Sequence, residues 1–386
     1  MKVPAEFDGI RPYNPEELPE VFNELLADEQ FMQVALSMLG GMTKEQFKAA
    51  LLSCQTNLEV QKMFFYPLLK QLLAKCSAGC DMNADALADK NQQYTFISNH
   101  RDIVLDSALL SVMLVDNNFP TTVEIAIGDN LLIYPWIKKL VRINKSFIVQ
   151  RSLSMREMLA SSMRMSKYMH FAVREKGENI WIAQREGRAK DSNDRTQESL
   201  IKMFALSGKA DFIDNLKSLN LSPLAISYEF DPCDYLKAAE FQLKRDNADY
   251  KKSKADDLLS MQTGITGYKG RIHYAFTPCI NPKLDEIAQN CANKKEQAAA
   301  VCAAIDAQIH SAYQLYAINR WAYEQLTGDT QYANVDGADE RAMAEKYLRG
   351  QLTKINIPNR DEEYLWHKLL EMYANPLKNY LKATAE

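Results

Sequence analysis

Residues 94–106 read YTFISNHRDIVLD, and this stretch decides the fold. Tyr94-Thr95-Phe96-Ile97-Ser98 is a short run rich in β-branched and aromatic residues, with neither glycine nor proline. Such a run predicts a buried strand. Four polar residues follow, Asn99 to Asp102, and apolar spacing then predicts a helix from about Ile103 to Val115. The same alternation repeats downstream. Strands are expected at Thr121–Ile127, Ser146–Gln150, Asn179–Ala183, Pro223–Phe230 and Arg271–Phe276, with helices over 136–141 and 154–175 between them. Short apolar strands alternating with helices imply an α/β fold with a largely parallel central sheet flanked by helices. In such a sheet the functional loops gather at the carboxyl ends of the strands.

Upstream, the first ninety residues read as a helical bundle. Asn14-Pro15-Glu16-Glu17 is a helix start, with proline in the first turn and acids beside the positive helix end. Val21, Phe22, Leu25 and Leu26 then recur at helical spacing, and Thr43 with Gln46 forms a capping box. A third helix is expected from about Leu58 to Cys76, with Gly40-Gly41 and the region 77–85 as punctuation. Downstream of Pro282 the chain is helical again, with its last segment broken at Pro376. The expected division is a bundle over 1–90, an α/β domain over 91–280 and a helical extension over 281–386 packed on it.

The 386 residues carry a net charge of −4, which argues against a nucleic-acid binder. One stretch departs from this balance: Lys138, Lys139, Arg142, Lys145 and Arg151 lie within fourteen residues free of acid. The amino-terminal segment has no apolar core of the kind a secretory signal needs, and no apolar run reaches bilayer length. Seven cysteines without a C-x-x-C pair suit reduced thiols in a cytoplasmic protein, peripheral to a membrane at most.

Among five histidines, His100 is the best placed, just beyond a strand beside Ser98 and Asn99. Asp102 and Asp106 follow, and either could accept a hydrogen bond from its imidazole. A carboxylate on one ring nitrogen fixes the tautomer and makes the other nitrogen a base. A helix-capping loop with incidental charge would have the same composition. Gln184-Arg185-Glu186-Gly187-Arg188-Ala189-Lys190 follows the strand NIWIA; Gly187 permits a tight turn, and Arg188 and Lys190 suit a phosphate. Gly128 ends TTVEIAI in a similar turn. His170, His273, His310 and His367 sit in no polar cluster visible in the sequence.

Four strand-end segments, in order, resemble the motif blocks of the glycerol-3-phosphate and lysophosphatidate acyltransferases: FISNHRDIVLD, GDNLLIYPWIKKLVRINKSFIVQR, IWIAQREGRAK and LSPLAISYE. Together they span about Phe96 to Glu229, and the third is most similar to the soluble plastid glycerol-3-phosphate enzymes. The resemblance implies that His100 is a general base oriented by Asp106, and that Arg151, Arg188 and Lys190 bind the acceptor phosphate. It implies an acyl thioester of acyl carrier protein or coenzyme A as donor, a glycerol-phosphate-type acceptor, direct transfer without an acyl-enzyme, and no metal or other cofactor. Five residues separate His100 from Asp106 where the family has four, so either the loop bulges or Asp102 serves instead. Lys145 and Glu186 stand where glycine is usual in many members and in the plastid type, respectively, which leaves the acceptor open. A lyso-aminolipid acceptor, or a lipid-binding module without catalysis, is the alternative. An insoluble product makes peripheral membrane contact an expectation too.

Overall fold

The computed structural model describes residues 3–385 apart from positions 88, 152 and 209 and the side chain at 155. Seven strands form one sheet: β1 (Gly79–Asn83), β2 (Thr95–Ser98), β3 (Val123–Gly128), β4 (Ser146–Val149), β5 (Asn179–Ala183), β6 (Leu221–Tyr228) and β7 (Arg271–Phe276). Their order across the sheet is β1-β7-β6-β2-β5-β3-β4. Only β6 and β7 pair antiparallel. The five strands from β6 to β4 therefore share a direction, and their carboxyl ends share one edge.

The apolar run at 94–98 becomes β2, an inner strand buried along its whole length. Its side chains alternate between two cores, as the pleat requires. Phe96 faces the helix Leu105–Asp116 together with Trp181, Leu224, Ile226 and Tyr274. Ile97 faces the opposite way, toward Tyr168 and Met169 of the helix Met155–Phe171 and Val301, Ile305 and Ile309 of the helix Lys294–Ser311. A strand covered on both sides has no polar face to show, which is why it reads as a continuous apolar run.

Helices Leu18–Ala27, Glu29–Met38 and Lys44–Ser53 build a separate core around Phe22, Leu25, Phe31, Phe47 and Leu51. The Thr43–Gln46 capping box forms as expected: Gln46 N donates to Thr43 Oγ1 at 3.2 Å, and Thr43 N donates to Gln46 Oε1 at 2.8 Å. At the other end of the chain, helices Ala317–Thr327, Ala338–Thr353 and Glu362–Thr384 enclose a core that also takes in Phe230 and Ala238.

Two sequence expectations change. The region 77–85 holds β1, a strand of the main sheet, paired from Gly79↔Arg271 to Asn83↔Ala275. GCDMN gives little signal because β1 is an edge strand whose side chains alternate between exposed and half-buried positions. Pro376 does not break the last helix, which runs unbroken from Glu362 to Thr384. The proline removes one backbone donor, but Leu369, Leu370, Tyr373 and Ala374 before it and Leu377 after it are all buried. That burial on both sides outweighs the missing bond.

Leu109 lies in the middle of the helix that carries Asp106 and is fully buried. Leu109→Ala should cost about 2–5 kcal/mol of stability, read as a lower urea midpoint with an unchanged slope.

Candidate active site

The turn between β2 and the helix Leu105–Asp116 spans residues 99–104, and each polar side chain in it is tied to a different part of the fold. Asn99, fully buried, takes the place of one more pair of ladder bonds. Its Nδ2 donates to Ile226 O and its Oδ1 accepts from Ile226 N, both at 2.8 Å, which closes the sheet between β2 and β6 beyond their last paired residues. Trp181 Nε1 of β5 donates to Ser98 Oγ at 3.0 Å. Arg101 turns away from the histidine and forms a buried ion pair with Asp194. Asp102 caps the turn, its Oδ1 accepting from Val104 N at 2.9 Å and Leu105 N at 2.8 Å.

These anchors leave His100 facing Asp106. His100 Nδ1 lies 2.7 Å from Asp106 Oδ2, which also accepts the Arg101 N–H at 2.7 Å and the Asp102 N–H at 3.1 Å. The Asp106 side chain is fully buried, whereas that of His100 is 14% exposed. An ionised Asp106 makes Nδ1 the donor and leaves Nε2 as the acceptor. Among the described residues, Nε2 has no hydrogen-bond partner. The ring stands edge-on to Trp181, with centroids 5.7 Å apart.

Of the two aspartates that spacing leaves open, the imidazole meets one. Asp106 touches the imidazole, and Asp102 is occupied with the turn. The extra residue is absorbed before the helix begins at Leu105. Burial, and next the charge of Asp106, push the Asp102 carboxyl above its ordinary range. A helix from a distant part of the chain, Lys254–Thr266, presses on it: a Cβ on Gly264 would lie 2.1 Å from Asp102 Oδ2. Glycine is the residue that lets this helix lie over the loop.

The cations expected to bind phosphate follow two strand ends, those of β4 and β5, each beside an acid. Arg188 follows the left-handed turn at Gly187 (φ +67) after β5, and it acts electrostatically on Asp102 and Asp231; its Nη1 is buried without a hydrogen-bond partner among the described residues. Lys190 pairs with Glu240, which also holds Lys244. Burial lowers the Lys190 pKa despite that partner. Arg151, beyond β4, lies three strands from β2, and its Nη1 is 3.3 Å from Glu186 of the β5 loop. Gly128 forms the floor under it: a Cβ there would come within 2.8 Å of Arg151 Nε. These cations share one edge of the sheet with His100 and Asp106, but among the described residues none of the three bonds either of them.

Beyond β6 lies a group of residues that local sequence does not reveal. Burial alone would raise the Asp231 pKa, but Lys237 outweighs it and holds the carboxyl below its ordinary range. Burial, and next Asp231, push Asp234 up to about 7, and Tyr373 Oη donates to its Oδ2 at 2.7 Å. This network ties the β6 loop to the last helix. Three of the other four histidines are tied to the fold: His170 bonds Phe204 O and Ser218 Oγ, His273 of β7 pairs with exposed Asp81 of β1, and His310 lies between Arg195 and Asp194 O. No cluster of His, Cys, Asp and Glu among the described residues has the geometry of a metal site. No helix among them is long and apolar enough to cross a membrane.

Residues 82–210, about a third of the chain, match the family model described as Acyltransferase. Among solved structures the chain is similar to the crystal structure of a 1-acyl-sn-glycerophosphate (LPA) acyltransferase from Thermotoga maritima. The two share 11% identity over 75% of this chain and 92% of that one, with a TM-score of 0.36. No curated protein matches the chain. The matched segment contains the strand ends that carry His100, Asp106, Arg151 and Arg188.

Because Arg101 is buried opposite Asp194, removing the acid strands a charge in the interior. Asp194→Ala should cost about 3–5 kcal/mol, measured by chemical unfolding.

Proposed function

We propose that this chain, which carries an acyltransferase-family domain over residues 82–210, moves a fatty acyl group from a thioester to the hydroxyl of glycerol-3-phosphate or its 1-acyl derivative. The observation that carries the reading is the 2.7 Å contact between His100 Nδ1 and Asp106 Oδ2 at the carboxyl end of β2. It leaves Nε2 free to accept a proton. The base takes the hydroxyl proton as the acceptor oxygen attacks the thioester carbonyl. The tetrahedral intermediate collapses by breaking the C–S bond, and the imidazolium returns the proton to the departing thiolate. No acyl-enzyme is needed. Buried Asp106 holds the tautomer and stabilises the imidazolium that forms.

Arg188 is the first candidate for the acceptor phosphate, because one of its guanidinium nitrogens is buried without a hydrogen-bond partner. Arg151 and Lys190 would join it by exchanging Glu186 and Glu240 for the ligand. Gly187 and Gly128 supply the turn and the floor that place Arg188 and Arg151. The donor would be a thioester of coenzyme A or acyl carrier protein, and the enzyme would work from the cytoplasmic side, against the membrane that receives its product. The three-part division at about residues 90 and 280 remains the proposed organisation.

A second reading keeps the reaction and changes the acceptor. Glu186, Asp231 and Glu240 stand among the cations, an arrangement that also fits a lyso-aminolipid carrying both an amine and an acid. The turn absorbs the extra residue while keeping the His–Asp contact, which favours the catalytic reading over a non-catalytic lipid-binding role.

His100→Ala should lower acyl transfer by about 10²–10⁴ with the melting temperature unchanged. Retention of more than about a hundredth of the rate would remove His100 as the base. Arg188→Ala should mainly raise KM for a phosphate-bearing acceptor. An equal rise for an acceptor without phosphate would argue for the aminolipid reading and against a phosphate clamp.

A further inference from the structure

The fourth strand-end segment, LSPLAISYE, supplies a residue to the other side of Asp106. On β6, Leu224 and Ile226 point into the core that also holds Leu105 and Leu109 of the Asp106 helix, and Tyr228 continues the same face. Across the antiparallel pair, Ile226 faces Tyr274 and Tyr228 faces Ile272. Tyr274 Oη is committed: it donates to the Asp106 backbone carbonyl at 2.8 Å. Tyr228 Oη is not. It is buried beside the Tyr274 hydroxyl without meeting it in hydrogen-bond geometry, and neither it nor Asp106 Oδ1, the carboxylate oxygen turned away from His100, has a hydrogen-bond partner among the described residues. A hydroxyl donor and an anionic acceptor, both buried and both unbonded, thus share one side of the sheet. Leaving such groups apart costs more than joining them.

We propose that Tyr228 is a positioning residue whose hydroxyl donates to Asp106 Oδ1, directly or through one bound water, and so fixes the carboxylate against His100. The phenol would complete the set of donors around Asp106: two backbone N–H groups and the imidazole on Oδ2, and Tyr228 on Oδ1. The inference rests on the His–Asp reading of the site. Around the phenol stand Tyr274 and Cys80 from β7 and β1 and Asp102 and Asp106 from the loop and helix, with Arg188 in turn acting on Asp102. Burial first, and then these neighbours, hold the Tyr228 phenol well above its ordinary pKa, so it stays protonated and able to donate.

Tyr228→Phe removes only the oxygen. A hydrogen bond to a charged group is worth enough that kcat should fall about ten- to a hundredfold. The acid limb of the kcat/KM profile should move to higher pH, because a carboxylate that loses a donor holds its proton, and that of its imidazole partner, more tightly. KM and the melting temperature should stay near those of the unaltered protein. Unchanged kcat and pH profile would overturn the proposal. So would a fall in melting temperature and activity with an unmoved pH profile, since that pattern marks a structural hydroxyl. Full activity in His100→Ala would instead sink the site reading itself, whatever Tyr228→Phe does.

Discussion

The sheet must stay closed between β2 and β6 after the strands themselves have ended, and the side chain of Asn99 does this. Its amide bonds both backbone groups of Ile226, so the residue before His100 sits as rigidly as a strand residue while the chain is already turning. Without that tether the turn would have no fixed starting point. With it, the Arg101 and Asp102 N–H groups both point at Asp106, and the imidazole meets the same oxygen. One carboxylate oxygen accepts from three donors because a single amide has fixed where the loop begins. Arg101 is sent away to Asp194, and Asp102 is spent on the turn, so neither competes for the histidine.

Much of the fold was legible in the sequence because its central strands are buried on both faces. β2 and β5 read as apolar runs for that reason, and the βα alternation gave their direction. β1 was not legible. Its five residues lie at an edge, three of them against water, and what makes them a strand is β7, far along the chain. A pairing of that kind leaves no local periodicity. Pro376 misled in the opposite sense, since a local rule about helix interiors gave way to tertiary burial along a long helix.

The site divides in the same way. His100 could be found from its position after a strand, and residue types marked Arg188 and Lys190 as cations in a turn. What each cation faces was not readable: Glu240 lies fifty residues beyond Lys190, and Asp231 reaches Arg188 only through the fold. Asp106 and Asp102 were equal by spacing, and the geometry of the turn separated them. Gly264 and Asp194 carry no signature at all, because their roles consist of packing against, or neutralising, a residue of the histidine loop.

The first part of the chain also reaches both borders of the sheet. Ile10 O accepts the Ile148 N–H along the outer side of β4, and β1 occupies the border beyond β7. Exposed strand borders are templates for unwanted pairing between molecules; at β4 the segment occupies the Ile148 donor, whereas on the other side β1 covers β7 and becomes the border itself. It is made before its partners at Ile148 and Arg271, which lie much later in the chain. Completion of the sheet at both sides therefore has a high contact order. The growing chain holds β1 without a partner until β7 has been made.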